Sequence, residues 1–306
     1  MGTASNVLLV SAMRGLAVEP SCPESRVANS HAFTARMCAA SRYEESSRAD
    51  SLFDDPLSKK LAGSEGLAQP MGSWIMTPRT RYADDYLREH YGHGCRQLVL
   101  LGAGMDSRAY RMAGLDELRV FEVDQPTIFD VKEPLVERDK PKVAARTTVA
   151  TDFTTRGQWS RDLVAAGFDE ATPTVWILEG LLMYLSLEDT KELMREIGRI
   201  SPPKSAAFHD ACSKTYVTKG ISVAGAPFIG GSDEYTRLWA DHAGFDAGYA
   251  RDFRSVAVDR RNRRVRVDPN VPEATPGRCR GRDVVLFVEA QKTAKRAAKN
   301  ASAAAA

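Results

Sequence analysis

The hydrophobic pattern of this chain changes period once, near residue 95. Upstream it is helical. Over residues 30–63, Phe33, Met37, Leu52, Phe53, Leu57 and Leu61 supply apolar positions at helix spacing. Asp54-Asp55-Pro56 reads as a helix start with proline in the first turn. Thr77-Pro78 reads the same way and opens a helix through Tyr82, Tyr86 and Leu87 to about Tyr91, where Gly92 and Gly94 end it. Downstream, short apolar runs take over. Residues 97–101 form a continuous run closed by glycine, as expected of a strand buried on both faces of a parallel sheet. Similar runs follow at 119–123, 147–150 and 174–178, with a weaker fifth at 205–209. Helical patterns separate most of them, at 128–136, 159–166 and, most clearly, 187–200, where Leu193, Met194 and Ile197 share a face. Strands alternating with helices predict βαβ units and a doubly wound α/β sheet.

Beyond Gly230 a helix is expected over 233–243, ending at Gly244. Strand-like stretches at 253–258 and 284–289 are then expected to form a closing hairpin. An Arg-rich, Pro-containing connection, 260–282, joins them, and the arginines from Arg251 to Arg282 read as a solvated face. Residues 1–25 read as a flexible leader and 293–306 as a low-complexity Ala/Lys tail. What remains, 26–292, is expected to be a single domain: a helical cap over 26–95 and a core over 96–292.

Composition narrows the partners. Lys and Arg number 42 against 40 Asp and Glu, a formal net charge of +2, so no global field favours nucleic acid or a membrane surface. No apolar run is long enough to span a bilayer. Ser11 and Arg14 interrupt the apolar start and make a poor secretory signal, while an organellar presequence stays open. Five scattered cysteines, with no C-x-x-C, argue against a disulfide framework and a zinc site and fit a cytoplasmic, reducing location. His31, His90, His93 and His242 have no metal-ligand spacing.

The chemistry centres on Leu100-Leu101-Gly102-Ala103-Gly104-Met105-Asp106-Ser107. Gly102 and Gly104 end the first parallel strand, where glycine lets the backbone turn sharply and a ligand approach closely. The helix that follows offers free N–H groups. About twenty residues on, Glu122 and Asp124 close the next strand, where an acid can accept from ribose hydroxyls. The two are expected to face opposite ways, one of them as a satisfied surface carboxylate. NAD and S-adenosylmethionine both fit this much, although Ser107 stands where the dinucleotide fingerprint has its third glycine.

Several blocks together resemble the leucine carboxyl methyltransferase family, including bacterial polyketide O-methyltransferases grouped with it. They are Leu101 to Arg111, Phe121-Glu122-Val123-Asp124-Gln125-Pro126, Thr151-Asp152-Phe153 and Leu178 to Leu185. Upstream, Ala40-Ser41-Arg42, Phe53-Asp54-Asp55-Pro56 and Arg79-Thr80-Arg81 belong to the same likeness. The resemblance implies a class I methyltransferase, Rossmann-like fold: a mostly parallel seven-stranded sheet with helices on both faces and a C-terminal antiparallel hairpin. It implies S-adenosylmethionine as cofactor and a small-molecule acceptor methylated on a carboxylate or hydroxyl oxygen. By the same likeness Gly102 and Gly104 pass under the amino-acid part of the cofactor and Asp124 holds the ribose. Asp152 and Phe153 take the adenine, Arg79 (or its neighbour Arg81) the carboxylate, and Glu179 the ammonium. Arg42 faces the cofactor carboxylate or an anionic substrate.

A carboxylate acceptor needs no general base, whereas a hydroxyl does. Tyr184 and His209 are the candidates here. Each also reads as a packing or hydrogen-bonded structural residue, as Trp176 and Met183 read as core. The glycine-rich stretch 220–231 reads as a mobile loop between the sheet and the last helix, and the resemblance implies that it helps form the substrate pocket. An NAD-dependent oxidoreductase and a non-catalytic cofactor-binding interaction protein are the competing functions. A methyltransferase acting on nitrogen or carbon is a third.

Overall fold

In the computed structural model, residues 23–153, 155–268 and 284–293 are described, the first eight by backbone alone. Most of the leader, the tail after 293 and the larger part of the Arg-rich connection lie outside them. Three helices come first: α1 (Pro23–Ser46), α2 (Ser58–Ala68) and α3 (Ser73–Gly92). The αβ alternation follows: β1 (Gln97–Leu101), α4 (Arg108–Arg111), β2 (Leu115–Asp124), α5 (Pro126–Val136), β3 (Val143–Ala150), α6 (Gln158–Ala165), β4 (Thr174–Leu178), a 3-10 turn (Leu182–Tyr184), α7 (Leu187–Arg199) and β5 (Ala206–Cys212). The last part holds α8 (Lys214–Val217), the small hairpin β6 (Ser222–Val223) and β7 (Ala226–Pro227), α9 (Tyr235–Leu238) with a π turn (Trp239–Ala243), β8 (Ala247–Asp252), the hairpin β9 (Val256–Asp259) and β10 (Arg264–Val267), and β11 (Val285–Gln291).

Seven strands form one sheet in the order β3-β2-β1-β4-β5-β11-β8. Strands β1 to β5 pair in parallel, and only β11 runs antiparallel, between β5 and β8. Every residue of β1, β4 and β5 is buried, which is why β1 and β4 read as apolar runs, while His209 and Asp210 make β5 the weaker one. On one face Leu98, Leu100, Val175, Ile177 and Phe208 pack against Ala40, Leu61, Met76 and Leu87 of the first three helices. On the other, Val99, Leu101, Trp176 and Ala207 pack against Trp159 and Leu163 of α6, Leu193 and Ile197 of α7, and Trp239. Among the described residues no helix is long and apolar enough to cross a membrane.

Three expectations need correction. The α3 helix opens at Ser73, a turn before Thr77-Pro78, and Pro78 lies inside it. The ring removes a single i→i−4 bond, early in a helix whose later turns are intact. The closing hairpin uses residues 247–252, since Phe253–Ser255 is a 3-10 turn capped by the Asp252 side chain and Val256–Asp259 pairs elsewhere. Strand β8 escaped detection because four of its six residues, Ala247, Gly248, Ala250 and Asp252, have low strand propensity. Gly248 is needed there, since a Cβ would sit 2.3 Å from the Glu289 carbonyl oxygen. Finally, Glu122 and Asp124 are two apart on β2 and therefore share a face. Glu122 is no surface carboxylate: it is buried and paired with Lys132 at 2.6 Å and Arg146 at 2.7 Å.

Candidate active site

The parallel strands end on one side of the sheet, and a cavity of about 260 Å³ opens there. Gly102, Gly104, Asp124, Asp152, Phe153, Glu179 and Arg79 all line it, with Arg42 and Tyr184. Ligands of open α/β sheets gather at this edge.

The glycine loop is held from two sides. The Gly102 and Ala103 amides donate to the Val123 carbonyl at 2.9 and 3.2 Å, continuing the β1–β2 pairing past the strand end. The Gly104 amide donates to Asp124 Oδ2 at 2.7 Å, and Asp124 Oδ1 accepts from the Gln125 amide at 2.7 Å. Both glycines have positive φ, 69° and 47°, a conformation that side chains resist. Gly104 also faces α1, where an added Cβ would come within 3.0 Å of Ala35. Burial pushes the Asp124 carboxyl above its ordinary range, and the two amides only partly oppose it.

Behind the loop runs a chain of alternating buried charges. Arg108 donates to Asp84 at 2.8 Å, to Glu179 at 2.5 Å and to Asp106. Glu179 lies 3.4 Å from Arg79 Nε, and Arg79 donates to Asp210 at 2.8 Å. Asp210 also accepts from the Gly180 amide at 2.6 Å. Burial alone would raise the Asp106 carboxyl, but Arg108, with Arg42 and Arg111 beyond it, outweighs that and holds it at about 2. Arg79 Nε is buried without a hydrogen bond of its own, which suits an incoming carboxylate.

Arg42 is already committed. Its Nε donates to Asp55 at 2.8 Å and Nη2 to the Met105 carbonyl, so it ties α1 to the glycine loop. Arg81 pairs with Asp85 and the Leu52 carbonyl and does not reach the cavity lining. His209 is not among the lining residues either. It points to the other face of β5, against Tyr235 and Trp239, and burial lowers it to about 4. Its neighbour Asp210 alternates to the cavity side. Phe153 lines the cavity and is backed by the buried Trp159 at 6.4 Å between centroids.

Sequence reasoning gave no role to Arg108, Asp106, Asp84, Asp210 or His31. The first two sit inside the glycine motif. Asp210 and His31 carry no local signal and are recruited by tertiary packing. Among the described residues no cluster of His, Cys, Asp and Glu could hold a metal.

The stretch 220–231 is a short hairpin and not a plain loop. It brings Val223 and Phe228 to the cavity, and the Ile229 and Gly230 amides donate to the Met183 carbonyl at 2.8 and 2.9 Å. A Cβ on Gly230 would lie 2.1 and 2.2 Å from the Leu182 and Leu185 carbonyl oxygens. Gly230→Ala is therefore expected to cost about 1–3 kcal/mol in urea unfolding, the usual range for overpacking. An unchanged midpoint would show that the turn can give way.

The leucine carboxyl methyltransferase family model matches residues 35–198, more than half of the chain. The chain belongs to that family. A Streptomyces coelicolor protein named as an S-adenosyl-L-methionine-dependent methyltransferase is 40% identical over 184 residues, 55% of this chain and 64% of that protein. A Mycolicibacterium smegmatis protein named likewise is 34% identical over 243 residues, 72% and 75% of the two chains. The match therefore spans just under two thirds of the first relative's length and three quarters of the second's. A solved DUF574 family protein from Streptomyces avermitilis shares the fold at 12% identity, with TM-score 0.50, covering 83% of this chain and 96% of that one. Membership in the leucine carboxyl methyltransferase family sets aside the NAD-dependent oxidoreductase reading.

Proposed function

We propose that the protein is an S-adenosylmethionine-dependent O-methyltransferase acting on a small molecule. One observation carries this reading: a single cavity joins the glycine loop and the acidic strand ends to an apolar end lined by Tyr184, Phe228, Met71 and Ile75. Donor and acceptor would then meet in one largely dry space.

The chain's own groups suit the cofactor piece by piece. Asp124, beside the loop, offers its remaining lone pairs to ribose hydroxyls. Phe153, backed by Trp159, gives the adenine a firm wall, with Asp152 as acceptor for its amino group. Arg79 Nε takes the carboxylate. Glu179, although shared with Arg79 and Arg108, has lone pairs left for the ammonium. Bound S-adenosylmethionine supplies a sulfonium methyl for in-line displacement. The protein's part is to align the acceptor oxygen with that methyl and keep water out.

Calorimetric titration with S-adenosylhomocysteine, with NADH as control, tests this directly. Micromolar binding of the first and none of the second is the expected result. Preference for NADH, or no binding of S-adenosylhomocysteine, would remove the proposal.

A further inference from the structure

Arg79 reaches the cavity from α3 on a long side chain, and such a chain holds one direction only when its guanidinium is pinned. The partners of its three nitrogens differ in kind. Nη1 donates to Asp210 Oδ2 at 2.8 Å. Nη2 donates to Met76 Sδ at 3.2 Å and to Cys38 Sγ at 3.8 Å, and sulfur is a weak acceptor. Nε is buried without a hydrogen bond, with Glu179 Oε1 at 3.4 Å. In a guanidinium the Nε–H and one N–H of Nη2 point the same way and form a fork that matches both oxygens of a carboxylate. Nη1 lies on the opposite edge. Asp210 therefore grips Arg79 from behind and leaves the fork to a ligand.

Asp210 is well placed for that grip. It is buried on β5, between β4 and β11 and in register with Phe287, so the sheet fixes its position. Its other oxygen, Oδ1, accepts from the Gly180 amide at 2.6 Å. Gly180 follows Glu179 in a turn with φ 69°, and a Cβ there would stand 3.4 Å from Arg79 Nη1. One carboxylate thus holds the guanidinium with one oxygen and the turn that carries Glu179 with the other. Burial alone would disfavour the charged form of Arg79, and Asp210 is the strongest of the groups that outweigh it.

We propose that Asp210 is a positioning residue for the amino-acid end of the cofactor, turning the Nε–Nη2 fork of Arg79 toward the carboxylate and setting the turn from which Glu179 meets the ammonium. This role rests on the S-adenosylmethionine reading of the cavity. Asp210 acts through those two neighbours and makes no bond to the ligand.

The test compares the full chain with its Asp210→Asn and Asp210→Glu variants. Each is titrated by calorimetry with S-adenosylhomocysteine and with methylthioadenosine, which keeps the adenosine and the thioether but has neither carboxylate nor ammonium. Asparagine keeps an oxygen for the Gly180 amide but turns an amide N–H toward Arg79, donor against donor. S-adenosylhomocysteine binding by Asp210→Asn is expected to weaken about 10- to 100-fold, the usual effect of one misplaced charge-assisted hydrogen bond. Methylthioadenosine binding should stay within about threefold. Asp210→Glu keeps the charge beside Arg79 and moves the fork by its longer arm. It should show a smaller loss on S-adenosylhomocysteine and none on methylthioadenosine, and it carries the comparison if Asp210→Asn does not fold. Equal weakening of both ligands would reduce Asp210 to a structural residue and overturn the assignment. So would S-adenosylhomocysteine binding that is unchanged in the variants. A wild type that binds no S-adenosylhomocysteine would strike the proposed function itself, and the role of Asp210 with it.

Discussion

Asp124→Ala is expected to weaken S-adenosylhomocysteine binding by about 30- to 1,000-fold while leaving the protein folded. That range corresponds to two charge-assisted hydrogen bonds to ribose, about 1–2 kcal/mol each when the partner is lost. A second effect adds to it. Asp124 Oδ2 also fixes the Gly104 amide, so the variant loosens the loop on which the cofactor would rest. Stability should move little, and the sign is informative. Burial raises the Asp124 carboxyl in the folded protein. Its charge therefore opposes folding at any pH above its folded value, and that cost fades only as the carboxyl protonates in acid. Removing it relieves the cost, while the two released amides face a cavity that can admit water. Asp124→Asn, which keeps one acceptor oxygen, should fall between wild type and Ala. Calorimetry and urea unfolding on the three proteins decide the matter. Binding within threefold of wild type in Asp124→Ala would remove Asp124 from the cofactor site.

The parallel half of the fold was legible because its strands are buried on both faces, and few folds other than a parallel sheet set continuous apolar runs between amphipathic helices. The antiparallel edge was not. Strand β8 is Ala247-Gly248-Tyr249-Ala250-Arg251-Asp252, whose pairing is set by close backbone approach to β11 and not by side-chain pattern. The cofactor candidates were legible for a similar reason: Gly102, Gly104, Asp124, Asp152 and Glu179 sit at or just past strand ends, so the topology delivers them to one edge. Alternation misled twice. Glu122 was turned away from Asp124 although residues two apart share a face, and His209 was weighed as a base although its neighbour Asp210 is the one that reaches the cavity. Residues contributed by α1 and α3 depend on how those helices cross the sheet. No local pattern encodes that, so His31 gave no signal, and nothing near Arg42 in the sequence announced its bonds to Asp55 and the glycine loop.

The largest effect on stability is expected at Arg108. Arg108→Leu should cost about 3–5 kcal/mol, the range for breaking a buried ion network from one side. The three carboxylates it serves do not suffer equally. Asp84 keeps Arg111, at 2.6 and 2.7 Å. Glu179 keeps Arg79 at 3.4 Å. Asp106 keeps the amide of residue 108 but loses the guanidinium that acts most strongly on it. Its folded value, about 2 in the wild type, lies below the unfolded value of roughly 3.9. The corresponding stability is therefore fully present above pH 4 or so and is lost as the pH falls toward 2. Without Arg108 that contribution is absent at every pH. The deficit of the variant should thus be greatest at neutral pH and should narrow between pH 4 and pH 2. Arg108→Lys keeps the charge but not the planar fork that reaches three partners at once, and should recover only part of the loss. Urea unfolding at pH 7 and pH 3, with the slope of the transition unchanged, reads both effects. A loss under about 1 kcal/mol at pH 7, or a deficit that grows in acid, would mean that the network is screened by water and that the glycine loop is held by Arg42 and Asp124 instead.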